Sequence, residues 1–458
     1  MIKGYCGPTP TPDPNVDLIS RLNYYIIMDY EQVYAEKFRG QVESCYSCGQ
    51  CESYCPFFPR VFGILEDEEQ YGREGGLLEE AFEGLLALCY DCKLCRIACP
   101  FKYDLPHIVI MAKAGVMRNG KPPLIKKIFR KVDEVESILG WFAPVLNPIL
   151  RNRSCRSILQ RVAGIHRDRL LPTFYFMTFR MQVFMQKLTG HLPDKDKRPE
   201  SKSKHKVIYF YGCYTNYHRP HEGMAVLNVL KACGIEVVIP AHRCCGLPQL
   251  SEGFPDDARK NMIYNLSIWG KYVASGYDIV VTSSPCGLTI KQDYSECLGS
   301  DADFLKGHVF EVTEYLLRLF EKGVIKPPVI PLNKRVAYHV SCHLKAQNMG
   351  MPSLELLRLI PGLKVSIIDR GCCGSAGCMG YTEDTFDLSM EIGSPMLEGI
   401  RESLPDLAVS DCPKCNLQIR QGTGLDAIHP IELLANCLSP LDPVPAIPKL
   451  VTATIYNK

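Results

Sequence analysis

Arg335-Val-Ala-Tyr-His-Val-Ser-Cys342, Gly371-Cys-Cys-Gly374 and Ala408-Val-Ser-Asp-Cys-Pro-Lys-Cys415 together decide how this chain folds. The first and third blocks each run through apolar residues into a cysteine. Neighbouring Cys372 and Cys373 would face opposite sides of an extended strand. Both reach one centre only at a sharp turn, which Gly374 permits. Cys342, Cys372, Cys373, Cys412 and Cys415 therefore read as a metal cage. Five thiolates exceed what a tetrahedral zinc ion or a cubane cluster takes, which points to bridging sulfurs and an unusual cluster.

The same layout occurs earlier as Cys213, Cys244-Cys245-Gly246 and Cys286, about 128 residues upstream. Lys206-Val-Ile-Tyr-Phe-Tyr-Gly-Cys213 matches Arg335–Cys342, and Ile279-Val-Val-Thr-Ser-Ser-Pro-Cys286 matches Ala408–Cys415, so the chain carries an internal duplication. Ser283 stands where the second copy has Cys412. Each copy reads as strand, Cys loop, helix, repeated three times. Val207–Tyr211, Glu236–Pro240 and Asp278–Thr282 are short apolar runs suited to buried parallel strands. Two small α/β units follow, with the cysteine loops at the carboxyl ends of their strands, where open parallel sheets place their chemistry.

Nearer the N-terminus stand Cys45-x2-Cys48-x2-Cys51-x3-Cys55-Pro56 and then Cys89, Cys92, Cys95, Cys99 and Pro100. Two such runs are the bacterial ferredoxin signature for two 4Fe-4S clusters, each taking its fourth cysteine from the other run. Two zinc sites would leave the third cysteine spacing and both prolines unexplained. Between the runs, Glu66 to Glu83 holds eight acids against Arg73 alone, and Leu77, Leu78, Phe82, Leu85 and Leu86 recur at helical spacing. Helices are expected to frame the clusters. The acidic face reads as solvated, or as a docking surface for a basic partner.

Of 458 residues, 46% are hydrophobic, which allows two to four domains with real cores. A formal charge of +2 gives no global drive toward nucleic acid. Twenty-three cysteines without a signal peptide indicate a reducing compartment and metal ligation, not a secreted disulfide scaffold. Ile138 to Leu150 is broken by Gly140, Pro144, Asn147 and Pro148, so no transmembrane helix is expected.

Gly120 to Leu188 carries thirteen Lys or Arg against Asp133, Glu134, Glu136 and Asp168. Trp141, Phe142, Phe176, Met177, Phe184 and Met185 are interleaved with that charge. The combination suits an anionic bilayer surface. A linker helix packing its apolar residues against the domains or a partner subunit is the competing reading.

The fold class is thus α+β multidomain: an N-terminal helical two-cluster ferredoxin domain, then two duplicated α/β Cys-Cys-Gly domains. The boundaries are 1–40 for an N-terminal arm, 41–119 for the ferredoxin domain, 120–204 for the basic amphipathic segment, 205–333 and 334–440 for the two Cys-Cys-Gly domains, and 441–458 for a tail. No organic cofactor site is evident. The nearest glycine pattern, Gly371-x-x-Gly374-x-x-Gly377, has the wrong spacing for a dinucleotide fingerprint, so flavin and nicotinamide belong elsewhere. His343, beside Cys342, is a candidate hydrogen-bond or proton donor at the second site, while His339 reads as a strand residue. Cys155, Cys233, Cys297 and Cys437 look like ordinary buried thiols, and Cys378 is a candidate neighbour of the second site.

Almost end to end the chain resembles the C subunit of the anaerobic glycerol-3-phosphate dehydrogenase family, itself related to the heterodisulfide reductase catalytic subunit. The carrying residues are both ferredoxin runs, His166-Arg-Asp-Arg-Leu-Leu-Pro172, Tyr211–Tyr217, Cys244–Pro248, Thr282–Cys286, Leu354–Gly362, Cys372–Gly374 and His429-Pro-Ile-Glu-Leu433. The resemblance implies an iron–sulfur subunit that accepts electrons from a flavoprotein dehydrogenase and delivers them to membrane quinone. It would be peripheral, on the cytoplasmic side of the inner membrane. It also implies a noncubane 4Fe-4S cluster in the second Cys-Cys-Gly domain. Ser283 departs from the reductase pattern, so the first domain is left with an iron–sulfur cluster, a zinc ion or nothing. The second half is expected to hold the centre nearest the electron acceptor. Two other functions compete: a heterodisulfide or disulfide reductase using the second-domain cluster, and an iron–sulfur subunit of a glycolate or lactate oxidase. A structural zinc or nucleic-acid module is the bland alternative.

Overall fold

In a computed structural model, residues 50, 54–56, 88–101, 103–189, 204–326, 328 and 330–438 are described. The N-terminal arm, the acidic stretch Glu66 to Glu83, residues 190–203 of the basic segment and the C-terminal tail lie outside them.

Lys206–Phe210 (β1), Glu236–Val238 (β2), Asp278–Val281 (β3) and Val309–Glu311 (β4) form one parallel sheet in the order β2-β1-β3-β4. Arg335–His339 (β5), Lys364–Ile368 (β6), Leu407–Val409 (β7) and Ala427–Ile428 (β8) repeat that order as β6-β5-β7-β8. Val207, Ile208, Tyr209 and Phe210 are fully enclosed, as a parallel strand covered on both faces requires. Within each sheet the chain leaves β1 or β5 toward opposite sides. The crevice this opens at the carboxyl ends of β1 and β3, and of β5 and β7, is where the cysteine loops sit.

Three strands per half were expected; the fourth in each is a correction. β4 and β8 are too short to carry a hydrophobic period. Their signal lies just beyond them, in capping boxes: Glu311 with Glu314 opens the helix Val312–Glu321, and His429 with Glu432 opens Pro430–Cys437.

The two halves share a core. Tyr209, Leu230 and Tyr315 of the first lie in one apolar cluster with Val336, Tyr338, Leu357 and Leu434 of the second. Across this seam the Arg219 guanidinium donates to both Glu432 oxygens at 2.8 and 3.0 Å, with both side chains nearly enclosed. Burial opposes ionisation of Glu432, but Arg219, His221 and the His429 backbone N–H outweigh it and hold the carboxyl below its ordinary value. A depressed folded value means that its stabilisation is present above the unfolded carboxylate pKa. It is lost as pH falls through the folded value. Glu432→Gln leaves Arg219 enclosed and unpaired, so a loss of about 3–5 kcal/mol in urea unfolding at neutral pH is expected, shrinking under acid. An unchanged midpoint would mean that the seam rests on apolar packing alone.

The basic segment becomes a series of helices, Leu124–Arg130, Val132–Trp141, Ala143–Arg151, Arg153–Ala163 and Phe179–Leu188. Its apolar residues divide between two faces. Val132, Ala143, Phe179 and Val183 are buried, Phe179 against Tyr209 and Tyr211 of the first half, whereas Trp141 is 64% and Val162 68% exposed. No helix among the described residues is long and apolar enough to cross a membrane.

Candidate metal centres

At the second site, Ser341, two residues beyond β5, is the N-cap that accepts from Leu344 N, so Cys342 opens the helix Cys342–Ala346. Cys412 is the N-cap of Pro413–Thr423 and Cys415 lies in its first turn. The loop after β6 turns at Gly374 with φ 77°, and a Cβ there would overlap the Ser389 carbonyl oxygen. The turn expected at this glycine is therefore present, and the backbone is too close for any side chain. It brings Cys372 and Cys373 together: Cys415 Sγ stands 3.2 Å from Cys373 Sγ. Cys342 makes hydrogen-bonding contact with Cys372, Cys372 with Cys373, and Cys412 with Cys415. All five expected thiols form one chain of sulfurs, with Cys373, Cys412 and Cys415 buried and Cys342 and Cys372 half-buried.

Their electrostatics are uneven. Cys372 is held well below the usual thiol value by hydrogen bonds from Cys342 and Cys373 and by the Gly374 N–H, at 3.3 Å. Cys412 is lowered by the Cys415 thiol and by the backbone N–H groups of Cys415 and Lys414 at the helix start. Burial pushes His339 and His343 down to about 4. His343 Nδ1 lies 3.4 Å from Cys342 Sγ, and the Nε2 atoms of His339 and His343 are buried without a hydrogen-bond partner. A soft five-thiol donor set with two unpartnered neutral imidazole nitrogens fits an iron–sulfur cluster, whose sulfurs accept such hydrogen bonds. His339 is the last residue of β5, as expected, and its ring also feels the Cys372 thiol.

The first site repeats the geometry with four thiols. Cys213 follows Gly212 (φ 69°) after β1, Cys244 and Cys245 follow β2, and Cys286 lies in the helix Ser284–Lys291 after β3. Cys213 contacts Cys244, Cys244 contacts Cys245, and Cys245 contacts Cys286. Ser283 hydrogen-bonds Cys286, so its hydroxyl occupies the site where the second copy has a thiol. Asp133 was not singled out in the sequence. Its Oδ2 accepts from Cys244 N at 2.7 Å, and burial pushes its carboxyl up to about 6. Its one readable signal was an acid in a basic segment.

Of the ferredoxin cysteines, Cys45, Cys48 and Cys51 lie outside the described residues. Cys95 lies in the short helix Leu94–Ala98 and Cys89, Cys92 and Cys99 flank it, the helix being entered through Asp91 and Lys93 in the left-handed region. Cys55 of the first run is also described, and is half-buried. The sequence did not foresee where this second run sits. Cys92 hydrogen-bonds Cys342 and feels Cys372, so the ferredoxin run abuts the second Cys-Cys-Gly site directly. On its other side, enclosed Lys93 pairs with Asp293 and lies 3.4 Å from Glu296 of the first half. Cys378 stays out of the second site: Glu252 accepts from its N at 2.8 Å and its Sγ at 3.1 Å. Of the thiols read as ordinary and buried, Cys437 is buried, while Cys155, Cys233 and Cys297 are half-buried.

Tandem ferredoxin cysteines joined to duplicated Cys-Cys-Gly sites define an iron–sulfur electron-transfer protein. Residues 41–103 match the 4Fe-4S dicluster domain family, and residues 207–291 and 336–420 match the cysteine-rich domain family. The chain is 34% identical over 407 residues to the C subunit of anaerobic glycerol-3-phosphate dehydrogenase from Escherichia coli, covering 87% of this chain and 98% of that protein. It therefore belongs to the family of that C subunit. The D subunit of the dihydromethanophenazine:CoB–CoM heterodisulfide reductase of Methanosarcina barkeri is 28% identical, covering 51% of this chain and 59% of its own length. Lactate utilization protein A 2 of Bacillus cereus is 24% identical, covering 51% of this chain and 99% of its own.

Proposed function

We propose that this chain takes electrons from a flavoprotein dehydrogenase of the glycerol-3-phosphate type and hands them to quinone at a bilayer surface. The observation that carries the reading is the contact of Cys92 with Cys342, itself bonded to Cys372, which joins the ferredoxin ligand set to the second Cys-Cys-Gly set with no side chain between. Bound iron–sulfur clusters supply one-electron carriers; the chain brings their ligands together and keeps them dry. The second site in turn meets the first through Ser341 and Ser284, whose hydroxyls are 2.8 Å apart, and through Ser284 N, which donates to Asp411 O at 3.0 Å.

Beyond the first site lies the helix Val132–Trp141. Asp133 and Glu136 pin its inner face, to Cys244 N and to His218, while Ile138 and Trp141 on its other side are exposed. This supports an order different from the one expected from sequence: ferredoxin run, second half, first half, membrane face. The test is anaerobic purification of the native complex. A flavoprotein should accompany the chain, and the pair should reduce a quinone analogue. The five-thiol second site with its unpartnered His343 Nε2 favours a second reading, disulfide reduction. Turnover of a disulfide by the chain with an artificial donor and no flavoprotein would select it instead.

The membrane contact has its own check. Exposed Trp141, Phe142, Phe184 and Leu188 among the cationic residues should bind anionic vesicles reversibly, more weakly as salt rises. Brominated lipid should quench Trp141, while Trp269, fully enclosed, stays bright. Replacing Trp141 and Phe142 with Ala should lower the affinity about tenfold or more. Deleting 141–188 is the poorer test, because it also removes core residue Phe179. Binding indifferent to salt and to both substitutions would assign the membrane contact to a partner.

A further inference from the structure

Three parts of the chain meet at a buried joint that takes no part in ligation. Tyr90 comes from between Cys89 and Cys92, Glu252 from the first half, and Gly377-Cys378 from the second. Lys113, from the helix Leu105–Asn119, lies beneath them. Lys113 is 3% exposed and Glu252 is wholly enclosed. The Lys113 ammonium donates to Cys89 O at 2.5 Å and to Ser251 O at 3.0 Å, and lies 4.3 Å from the Tyr90 ring centroid. Both Glu252 oxygens are taken by Cys378, its backbone N–H and its thiol. A side chain on Gly377 would overlap the Tyr90 ring, so the joint closes tightly around these groups.

Burying an ammonium is costly, and a surface lysine would hold the helix equally well by its stem. What the buried position adds is a charge in a dry, low-dielectric place beside a candidate ligand of the second ferredoxin run. The positive end of the pair faces Cys89, and the negative end faces Cys378. Among charged groups near Cys89, Lys113 acts most strongly, and Glu252 is the charged group that Lys113 itself feels most.

We propose that Lys113 is a positioning residue that sets the reduction potential of the 4Fe-4S cluster held by Cys89, Cys92 and Cys95, with Glu252 as its opposing charge. The inference rests on the ferredoxin assignment of that run. Reduction adds one negative charge to the ligand set, and a nearby buried cation favours that state. Lys113 therefore raises the potential, easing electron entry at the run that meets the second site, while Glu252 lowers it.

The test is a potentiometric titration of the anaerobically purified full chain, followed by paramagnetic resonance, with the signal assigned by its loss in Cys92→Ser. Lys113→Met should lower the reduced-to-oxidised ratio at fixed potential on the order of tenfold, a downward shift of about 59 mV. Glu252→Gln, which keeps the acceptor for Cys378 N, should shift it the other way by about threefold. Lys113→Arg should stay near the native value, and the double variant should lie between the two singles. Mere loosening of the joint would move both single variants in the same direction; that result, or an unmoved potential in Lys113→Met, overturns the proposal. Absence of any 4Fe-4S signal in the native chain would instead overturn the ferredoxin assignment beneath it.

Discussion

Cys373→Ala is expected to cost the chain the iron of its second half and at least about 100-fold in quinone reduction by the assembled complex, since even partners one step removed from a metal cost 10–100-fold. Cys373 is the middle link of the sulfur chain. It touches Cys372 on one side and Cys415 on the other, so its loss separates the loop after β6 from the helix after β7. Cys245→Ala is the comparison. From sequence alone the first half, with Ser283 in place of a cysteine, is expected to tolerate loss of Cys245 with a smaller effect on delivery. The geometry argues otherwise, because the second site adjoins the ferredoxin run through Cys92 and the first adjoins the helix with the exposed apolar face. Cys245→Ala should therefore also stop delivery to quinone, yet leave the second half's iron in place and reducible by the dehydrogenase partner. Iron content and single-turnover reduction of each variant separate the cases. Full quinone reduction in Cys245→Ala would restore the second half as the exit, and full activity in Cys373→Ala would sink the arrangement altogether.

What could be read from sequence followed the range of the interactions. Apolar runs ending in cysteine revealed the strands and the ligand loops together, because strand, turn and thiol lie within a few residues. Gly374 was legible for the same reason. The meeting of Cys92 with Cys342 was not: nothing local to either residue reports a contact made across the fold. Asp133, Lys113 and Glu252 are likewise ordinary charged residues until the fold encloses them. Some motifs that carried only a family likeness acquire a physical role. In His166–Pro172, Arg169 is fully buried and donates to Ser375 Oγ at 3.0 Å and to Gln418, tying the helical segment to the loop beyond Gly374. In His429–Leu433, Glu432 both closes a capping box and pairs with Arg219. One residue thereby joins a helix start to the seam between the halves.

Gly374→Ala should abolish the second centre without touching a ligand. Two costs add there. A left-handed φ of 77° disfavours any L-residue by about 1–2 kcal/mol. The added Cβ would also overlap Ser389 O and come within 3.1 Å of Gly393 N, both backbone atoms of the helix Phe386–Glu402. That helix cannot yield cheaply, because its own Gly393 already packs so closely that a Cβ there would lie 2.6 Å from Cys373 O. Helix and ligand loop are thus pressed together at two glycines, and pushing them apart moves Cys373 away from Cys415. The neighbouring glycines supply graded controls. Gly371 has φ 76° with open space around it, so Gly371→Ala should cost only the backbone term, about 1–2 kcal/mol, and keep its iron. Gly246, the counterpart in the first half, has φ 102°, but its Cβ would meet the Ala258 and Met262 side chains at 3.2 Å, and Met262 can shift. Gly246→Ala should fall between the two, with partial loss of metal from the first site. Gly374→Ala should exceed both, at about 3 kcal/mol or more in urea unfolding, with the second-half iron gone. Equal losses at Gly371 and Gly374 would mean that backbone strain alone governs the loop. The close packing of the helix Phe386–Glu402 would then have no part in holding Cys372 and Cys373 at one centre.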